Sequence, residues 1–215
     1  MRDEQIEFLL EEPSMQYFLE DLLPFILPEG YALGVNCFLR PHQGKSDLLK
    51  SIPRKMQVFS NFHRPAKVIV IHDQDSSDCV ELKGQLKELC SIEDACPFLI
   101  RIACRELENW YLGDMDALEG LYPKFNAGKY RNSAKYRIID HVFGATELER
   151  LITGFRKTYA AKNIVLYMNT DDLSQNRSES FRQTVLGIRN FLITEEEQCL
   201  KQSNSTSTPT RNTRP

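Results

Sequence analysis

The segment Ala66 to His72 (AKVIVIH) is a continuous, β-branched apolar run that gives way at once to Asp73-Gln74-Asp75. A strand without polar alternation has to be covered on both faces, as in a parallel sheet flanked by helices. Ile6 to Leu10 has the same character and closes on Glu11.

The intervening residues read as helices. After Pro13, apolar positions fall at Met15, Phe18, Leu19, Leu22 and Leu23, the stripe of an amphipathic helix. Residues 32–39 (ALGVNCFL) read as a second strand, followed by the basic turn containing Arg40, His42 and Lys45. A helix from Ser46 to Phe59 follows, which Pro53 is expected to kink or split. Asp78 and Glu81 have capping-box spacing ahead of a helix buried through Cys79, Leu82, Leu86 and Leu89. Phe98 to Cys104 is a fourth strand, and Arg101 in its middle marks an edge or a partly exposed face.

Strands alternating with helices predict right-handed crossovers and a mainly parallel α/β sheet over residues 1–113. Residues 114–200 read as a mostly helical portion packing on that core, with helices near Asp114 to Leu121, Ala134 to Val142, Glu147 to Phe155 and Ala160 to Met168. A last helix after Asn176 to Ser178 carries Phe181, Val185, Ile188 and Leu192 on one face. The polar, low-complexity tail 201–215 is expected to be disordered.

Composition sets bounds. A chain of 215 residues with 41% apolar content can bury one core. No apolar stretch approaches the ~20 residues of a membrane span, and the start MRDEQ has no signal-peptide character, so a cytoplasmic protein without membrane contact is expected. The six cysteines form no CxxC pair and read as reduced and buried. Histidines 42, 63, 72 and 141 lack zinc-ligand spacing. A net charge of −3 argues against an indiscriminate nucleic-acid coat, yet the basic stretch 124–137 (KFNAGKYRNSAKYR) can still hold a phosphate backbone.

Ligands of open α/β sheets bind outside the carboxyl ends of the strands. The residues there are charged: Glu11 and Glu12, Arg40 and His42, Asp73 and Asp75, then Arg105, Glu106 and Glu108. Converging carboxylates repel unless a cation or a shared proton relieves them. A hard cation such as Mg²⁺ or Mn²⁺ suits an all-oxygen donor set. Asp-x-Asp fits because alternate side chains leaving a strand point the same way. The same residues also make an ordinary strand-to-helix turn with Asp78 as cap. Gly44-Lys45-Ser46 lacks the preceding P-loop glycine, since Leu39 occupies its place, so an NTPase site is excluded. A phospho-acceptor role for Asp73 leaves Glu11 unexplained.

The glutamate at 11, the Asp73-Gln74-Asp75 turn and the helix beginning at Cys79 together resemble the Toprim superfamily. More closely, LLEEPSMQYFLEDLLP (9–24), GKSDLLKSIPRKM (44–56), VIHDQDSSDCVELKGQL (70–86), RIACRELENWYLGD (101–114) and NRSESFRQTVLGIRNF (176–191) resemble the uncharacterised DUF4276 family. The resemblance implies a Toprim-like fold and a metal-dependent nuclease acting on DNA or RNA, related to OLD-type nucleases and working beside an AAA/ABC-type ATPase in bacterial defence against phage. By position, Glu11 matches the Toprim glutamate, and Asp73 and Asp75 match the metal-binding pair. On this reading Asp73 and Asp75 hold one or two Mg²⁺ or Mn²⁺ ions, and Glu11 ligands metal or moves a proton. Glu106 is favoured over Glu108 as an added catalytic carboxylate because it lies nearer the strand end. Arg40, Lys45 and Arg105 are expected to steady substrate phosphates. Trp110 and Tyr111 fit the core better than a base-stacking role. Glu12 replaces a common family glycine, and Met15 an often acidic residue. These departures support the alternative of a catalytically degenerate module that binds a partner or nucleic acid.

Overall fold

The computed structural model describes residues 1–193 and contains a four-stranded, fully parallel sheet in the order β2-β1-β3-β4. The strands are β1 (Gln5–Leu10), β2 (Cys37–Pro41), β3 (Ala66–Asp73) and β4 (Phe98–Ala103). Helices α1 (Pro13–Ile26), α2 (Lys45–Ser60) and α3 (Cys79–Cys90) make the crossovers. From β1 the chain first winds outward to β2, then crosses back to β3 on the other side. The switch point therefore lies between β1 and β3, whose register pairs Leu10 with Ile71. The class is α/β, as the unbroken apolar runs predict.

Alternation within the strands feeds two cores. On one face Leu9, Val68, Val70, Ile100 and Ile102 pack against Leu48, Ile52 and Met56 of α2 and Leu82 and Leu86 of α3. On the other, Ile6, Phe8, Leu10, Ile69 and Ile71 join α1 and the helical C-terminal part. That part comprises α4 (Glu108–Leu112), α5 (Met115–Leu121), α6 (Ala127–Tyr130), α7 (Gly144–Leu151), α8 (Lys157–Asn163) and α9 (Glu179–Leu192). Trp110 and Tyr111 are fully buried in it, and Trp110 packs against Phe18 and Phe181. Ser178 caps α9 by accepting from the Phe181 N–H, and Asp78 caps α3 through the Val80 and Glu81 amides.

Several elements differ from expectation. The second strand begins only at Cys37, because Gly34 adopts φ +74° and the Asn36 side chain accepts from the Ala32 amide, folding 32–36 into a turn. The strand also runs on to Pro41, beyond the expected end at Leu39, so Arg40 lies within β2. Pro53 neither splits nor ends α2, whose buried residues Leu48, Ile52, Met56 and Phe59 continue on either side of it. Burying four such side chains, each about 1.5–3 kcal/mol, outweighs the ~3 kcal/mol that an interior proline costs. Between 134 and 142 there are two 3₁₀ turns, Ala134–Tyr136 and Ile139–His141, in place of one helix. Tyr136 and Ile139 are both buried three residues apart, which suits the tighter winding. The helix expected over 160–168 starts earlier as α8 and finishes as a 3₁₀ turn, Ile164–Tyr167.

β4 is an edge strand, as Arg101 implies, and α9 covers it. A Cβ on Gly187 would stand 1.8 Å from the Arg101 guanidinium, so glycine at that position permits the close approach. Cys37, Cys79, Cys90, Cys96 and Cys104 are free thiols. Among the described residues no helix is long and apolar enough to cross a membrane. The expectation of a disordered tail falls outside the described residues, as does Cys199.

Candidate functional site at the sheet switch point

Glu11 follows β1 directly, and parallel pairing places it beside His72 of β3. Its Oε2 accepts from the Asp73 backbone amide at 3.0 Å and lies 2.9 Å from His72 Nδ1. Both Glu11 and His72 are buried. Burial pushes the Glu11 carboxyl upward. The hydrogen bond and charge of His72, the Asp73 amide and the Lys45 ammonium outweigh that, holding it below the usual carboxylate range. Lys45, in the first turn of α2, donates to Ser77 Oγ at 3.1 Å. This flank of the switch point is closed, and its polar groups are paired except at His72 Nε2, which is buried without a hydrogen-bond partner among the described residues.

Asp73 faces the opposite side, with Ile69 and Ile71. The residue is half-buried, but its Oδ1 is out of solvent and has no hydrogen-bond partner. Burial raises its carboxyl well above the usual range, and Glu108, Glu11, Glu12 and Asp75 push it further. Glu108, 2% exposed, is also raised by burial, opposed chiefly by Lys157, whose Nζ lies 3.5 Å from Glu108 Oε1. Tyr111 completes this flank with a buried hydroxyl that likewise lacks a partner. Two of the five buried side-chain polar atoms without a partner among the described residues thus share one side of the strand ends.

The turns leaving β3 and β4 are stitched together. Asp75 N–H donates to the Arg105 carbonyl at 2.7 Å, Arg105 Nη1 donates to the Asp75 carbonyl at 3.1 Å, and Arg105 N–H donates to Gln74 Oε1. Asp75 (φ +53°) and Arg105 (φ +63°) both occupy the left-handed region, which non-glycine residues seldom enter. The exposed Asp75 carboxyl is raised by burial and by Glu11, with Lys45 and His72 opposing. The Arg105 guanidinium lies 4.9 Å over the Phe143 ring.

The residues singled out from sequence therefore fall into three groups. Glu11, Asp73, Asp75, Lys45 and Arg105 come together at the switch point. Glu106 adds its charge at Asp75 and Glu108, but its carboxylate caps α7 by accepting from the Ala145 amide at 2.8 Å, while Glu108 stands closer to Asp73 in electrostatic terms. Arg40 is committed elsewhere: it binds the buried Glu7 carboxylate at 2.8 Å from within β2. His42 is structural, bridging the Leu10 carbonyl and Ser51 Oγ. Sequence reasoning missed His72, Glu108 as the nearer carboxylate, Tyr111 as a polar participant and Lys157.

The donor chemistry suits a hard divalent cation: all-oxygen, strongly acidic, with one buried carboxylate oxygen free to ligand. The side chains are not preassembled, since among the described residues no three Asp, Glu, His or Cys groups are gathered to hold an ion. Glu11 in particular is turned to His72 and the Asp73 amide. Comparison with family models, curated proteins and solved structures yields no match to this chain.

Proposed function

We propose that this chain is a metal-dependent phosphodiesterase acting on nucleic acid, of the Toprim kind that its sequence resembles. The observation that carries the reading is the buried, unpartnered Asp73 Oδ1 at the sheet switch point, surrounded by the charges of Glu108, Glu11, Glu12 and Asp75. So much crowded negative charge is costly where the nearby cations, Lys157 and Lys45, face Glu108, Glu11 and Asp75 and none pairs with Asp73 among the described residues. Asp73 and Asp75 would hold Mg²⁺ or Mn²⁺, with Glu108 or Glu11 completing the set. The ion supplies Lewis acidity at the scissile phosphate. Lys45 and Arg105, set on either side of the Asp75 turn, supply positive charge for non-bridging phosphate oxygens. His72 Nδ1 fixes the Glu11 carboxylate, which stays ionised and suited to ligand a cation or accept a proton. A cytoplasmic setting, a role in anti-phage defence and an ATPase partner belong to this proposal through the family resemblance alone.

A second reading is favoured by the engagement of Glu11 with His72 and the Asp73 amide: a Toprim-derived module that binds nucleic acid or a partner without cleaving it. Incubation with Mn²⁺ and plasmid DNA or total tRNA, beside an Asp73→Ala control, separates the two. Cleavage that disappears in the variant supports the nuclease, and equal product from both proteins defeats it. Mn²⁺ binding by the parent without any cleavage supports the binding module.

A further inference from the structure

Residues 124–137 contain five cations, Lys124, Lys129, Arg131, Lys135 and Arg137, and no acid. The fold concentrates part of this charge around a cavity of about 370 Å³ lined by Arg131, Asn132, Ser133, Arg137 and Arg177. Arg177 enters from the segment before α9 and ties the loop together, donating to the Arg131 carbonyl at 2.8 Å and the Tyr136 carbonyl at 2.7 Å. Carbonyls orient its guanidinium without neutralising it. Arg131 is paired with Asp116, whereas Arg137 is exposed and makes no ion pair among the described residues. Arginine forks, amide and hydroxyl groups around a concave space are the chemistry of phosphate recognition.

A lone anion would occupy that cavity and nothing else, but the surface continues. From Arg137 the chain passes through exposed Ile138 and His141 to Phe143, which is 47% exposed beneath the Arg105 guanidinium at the rim of the carboxylate site. Phe143 is six positions along the chain from Arg137, so at most about 21 Å of extended chain lies between them. Phosphate-holding arginines, then an accessible aromatic face, then a cationic approach to the strand ends are the parts of a single-strand track, in which bases stack while the backbone is held by charge.

We propose that the Arg131–Arg137–Arg177 cavity anchors a backbone phosphate of single-stranded nucleic acid, whose continuation crosses Phe143 toward Asp75. The choice of ligand rests on the nucleic-acid reading above, but the anchor is independent of cleavage and is tested without metal. Fluorescence anisotropy with labelled dT12 and U12 in EDTA measures it directly. Arg137→Gln removes an exposed, unpaired cation and leaves the core untouched. It should weaken binding on the order of tenfold and lower the slope of log K against log salt by about 0.7, the value for one phosphate contact on a single strand. Phe143→Ala should weaken binding about fivefold or more with the slope unchanged. Wild-type affinity in Arg137→Gln, or no effect of Phe143→Ala, overturns the track. So does displacement of the oligonucleotide by inorganic pyrophosphate at equal concentration, which marks a small-anion site, and so does tighter binding of a matching duplex. Because these readings need no Mn²⁺, a protein that binds as described but never cuts refutes only the nuclease.

Discussion

The two flanks of the sheet switch point use similar residues in opposite ways. On the α2 flank, buried Glu11 is matched by the His72 ring and the Asp73 amide, His42 by Leu10 and Ser51, and Lys45 by Ser77, and the one buried atom left over is a ring nitrogen, His72 Nε2, among the described residues. On the helical flank, Asp73 and Tyr111 each bury an oxygen without a partner among the described residues, and the cation facing Glu108 is Lys157 at 3.5 Å. The first arrangement is what a fold does with polar groups it uses for its own cohesion. The second leaves polar groups at a cost that folding alone does not recover, which is the mark of residues kept for something outside the chain. Of the three left-handed non-glycine residues among those described, Asp75 and Arg105 lie at the strand ends and Asp94 in the loop before β4.

The sharpest way to break the comparison is to delete the paired carboxylate. Glu11→Ala leaves the Asp73 amide buried and unmatched and the His72 Nδ1 with only the Asp73 carbonyl, and should destabilise the protein by about 1–3 kcal/mol. Glu11→Gln retains an acceptor oxygen and should lose less. Urea unfolding with an unchanged m-value checks both, and a loss below about 1 kcal/mol for the alanine variant would mean the α2 flank is not held together as described.

The unpaired carboxylate should respond with the opposite sign. In EDTA, Asp73→Asn keeps the side-chain shape while removing a charge that burial and four neighbouring carboxylates oppose, so stability should rise by about 1–2 kcal/mol. The parent should be stabilised by Mn²⁺ in the same unfolding assay, and the variant should not. Were Asp73→Asn to cost as much as Glu11→Ala, the asymmetry between the flanks would be lost.

How far the sequence discloses this site depends on what each residue's role draws on. β1 and β3 are plain in the sequence because a strand buried on both faces leaves an unmixed apolar run, and the acids that terminate those runs locate the switch point. The Asp78 cap and the edge character that Arg101 gives β4 are also local signals. The Glu11–His72 pair is not, because it requires the register that sets Leu10 against Ile71, and a histidine closing an apolar run reads as core. Lys157 and Tyr111 reach Asp73 and Glu108 only through the packing of α8 and α4, for which the sequence has no local signature. Glu106 and Glu108 show the limit of proximity along the chain: the residue nearer the strand end is drawn off to cap α7, and the farther one is carried inward by α4. The start of β2 was obscured because Ala32 to Asn36 are mostly apolar or small, while the Gly34 and Asn36 turn that excludes them from the sheet depends on Asn36 meeting Ala32 and Gly30.

Glu147 sharpens the comparison from within the helical part itself. It is 7% exposed, yet the Tyr136 hydroxyl donates to it at 2.7 Å, Arg150 at 2.9 Å, and Lys135 completes the set. Burial pushes this carboxyl upward, but the hydrogen bonds of Lys135, Tyr136 and Arg150 prevail and bring it to about 2. The helical part can therefore satisfy a buried acid where cohesion requires it, and the bareness of Asp73 is local to the strand ends. A carboxyl depressed in the folded state stabilises fully above its ordinary value near 4.5 and loses that contribution as pH falls through about 2. Lys135 and Arg150 are about half exposed, so solvent screening keeps the net effect small. Glu147→Gln should cost about 1 kcal/mol at pH 7, and the gap between variant and parent should narrow steadily as the pH is lowered from 4.5 toward 2. Denaturant titrations of both proteins at several pH values check it; a gap that stays constant across that window would show that Glu147 holds the 134–150 segment by shape and not by charge.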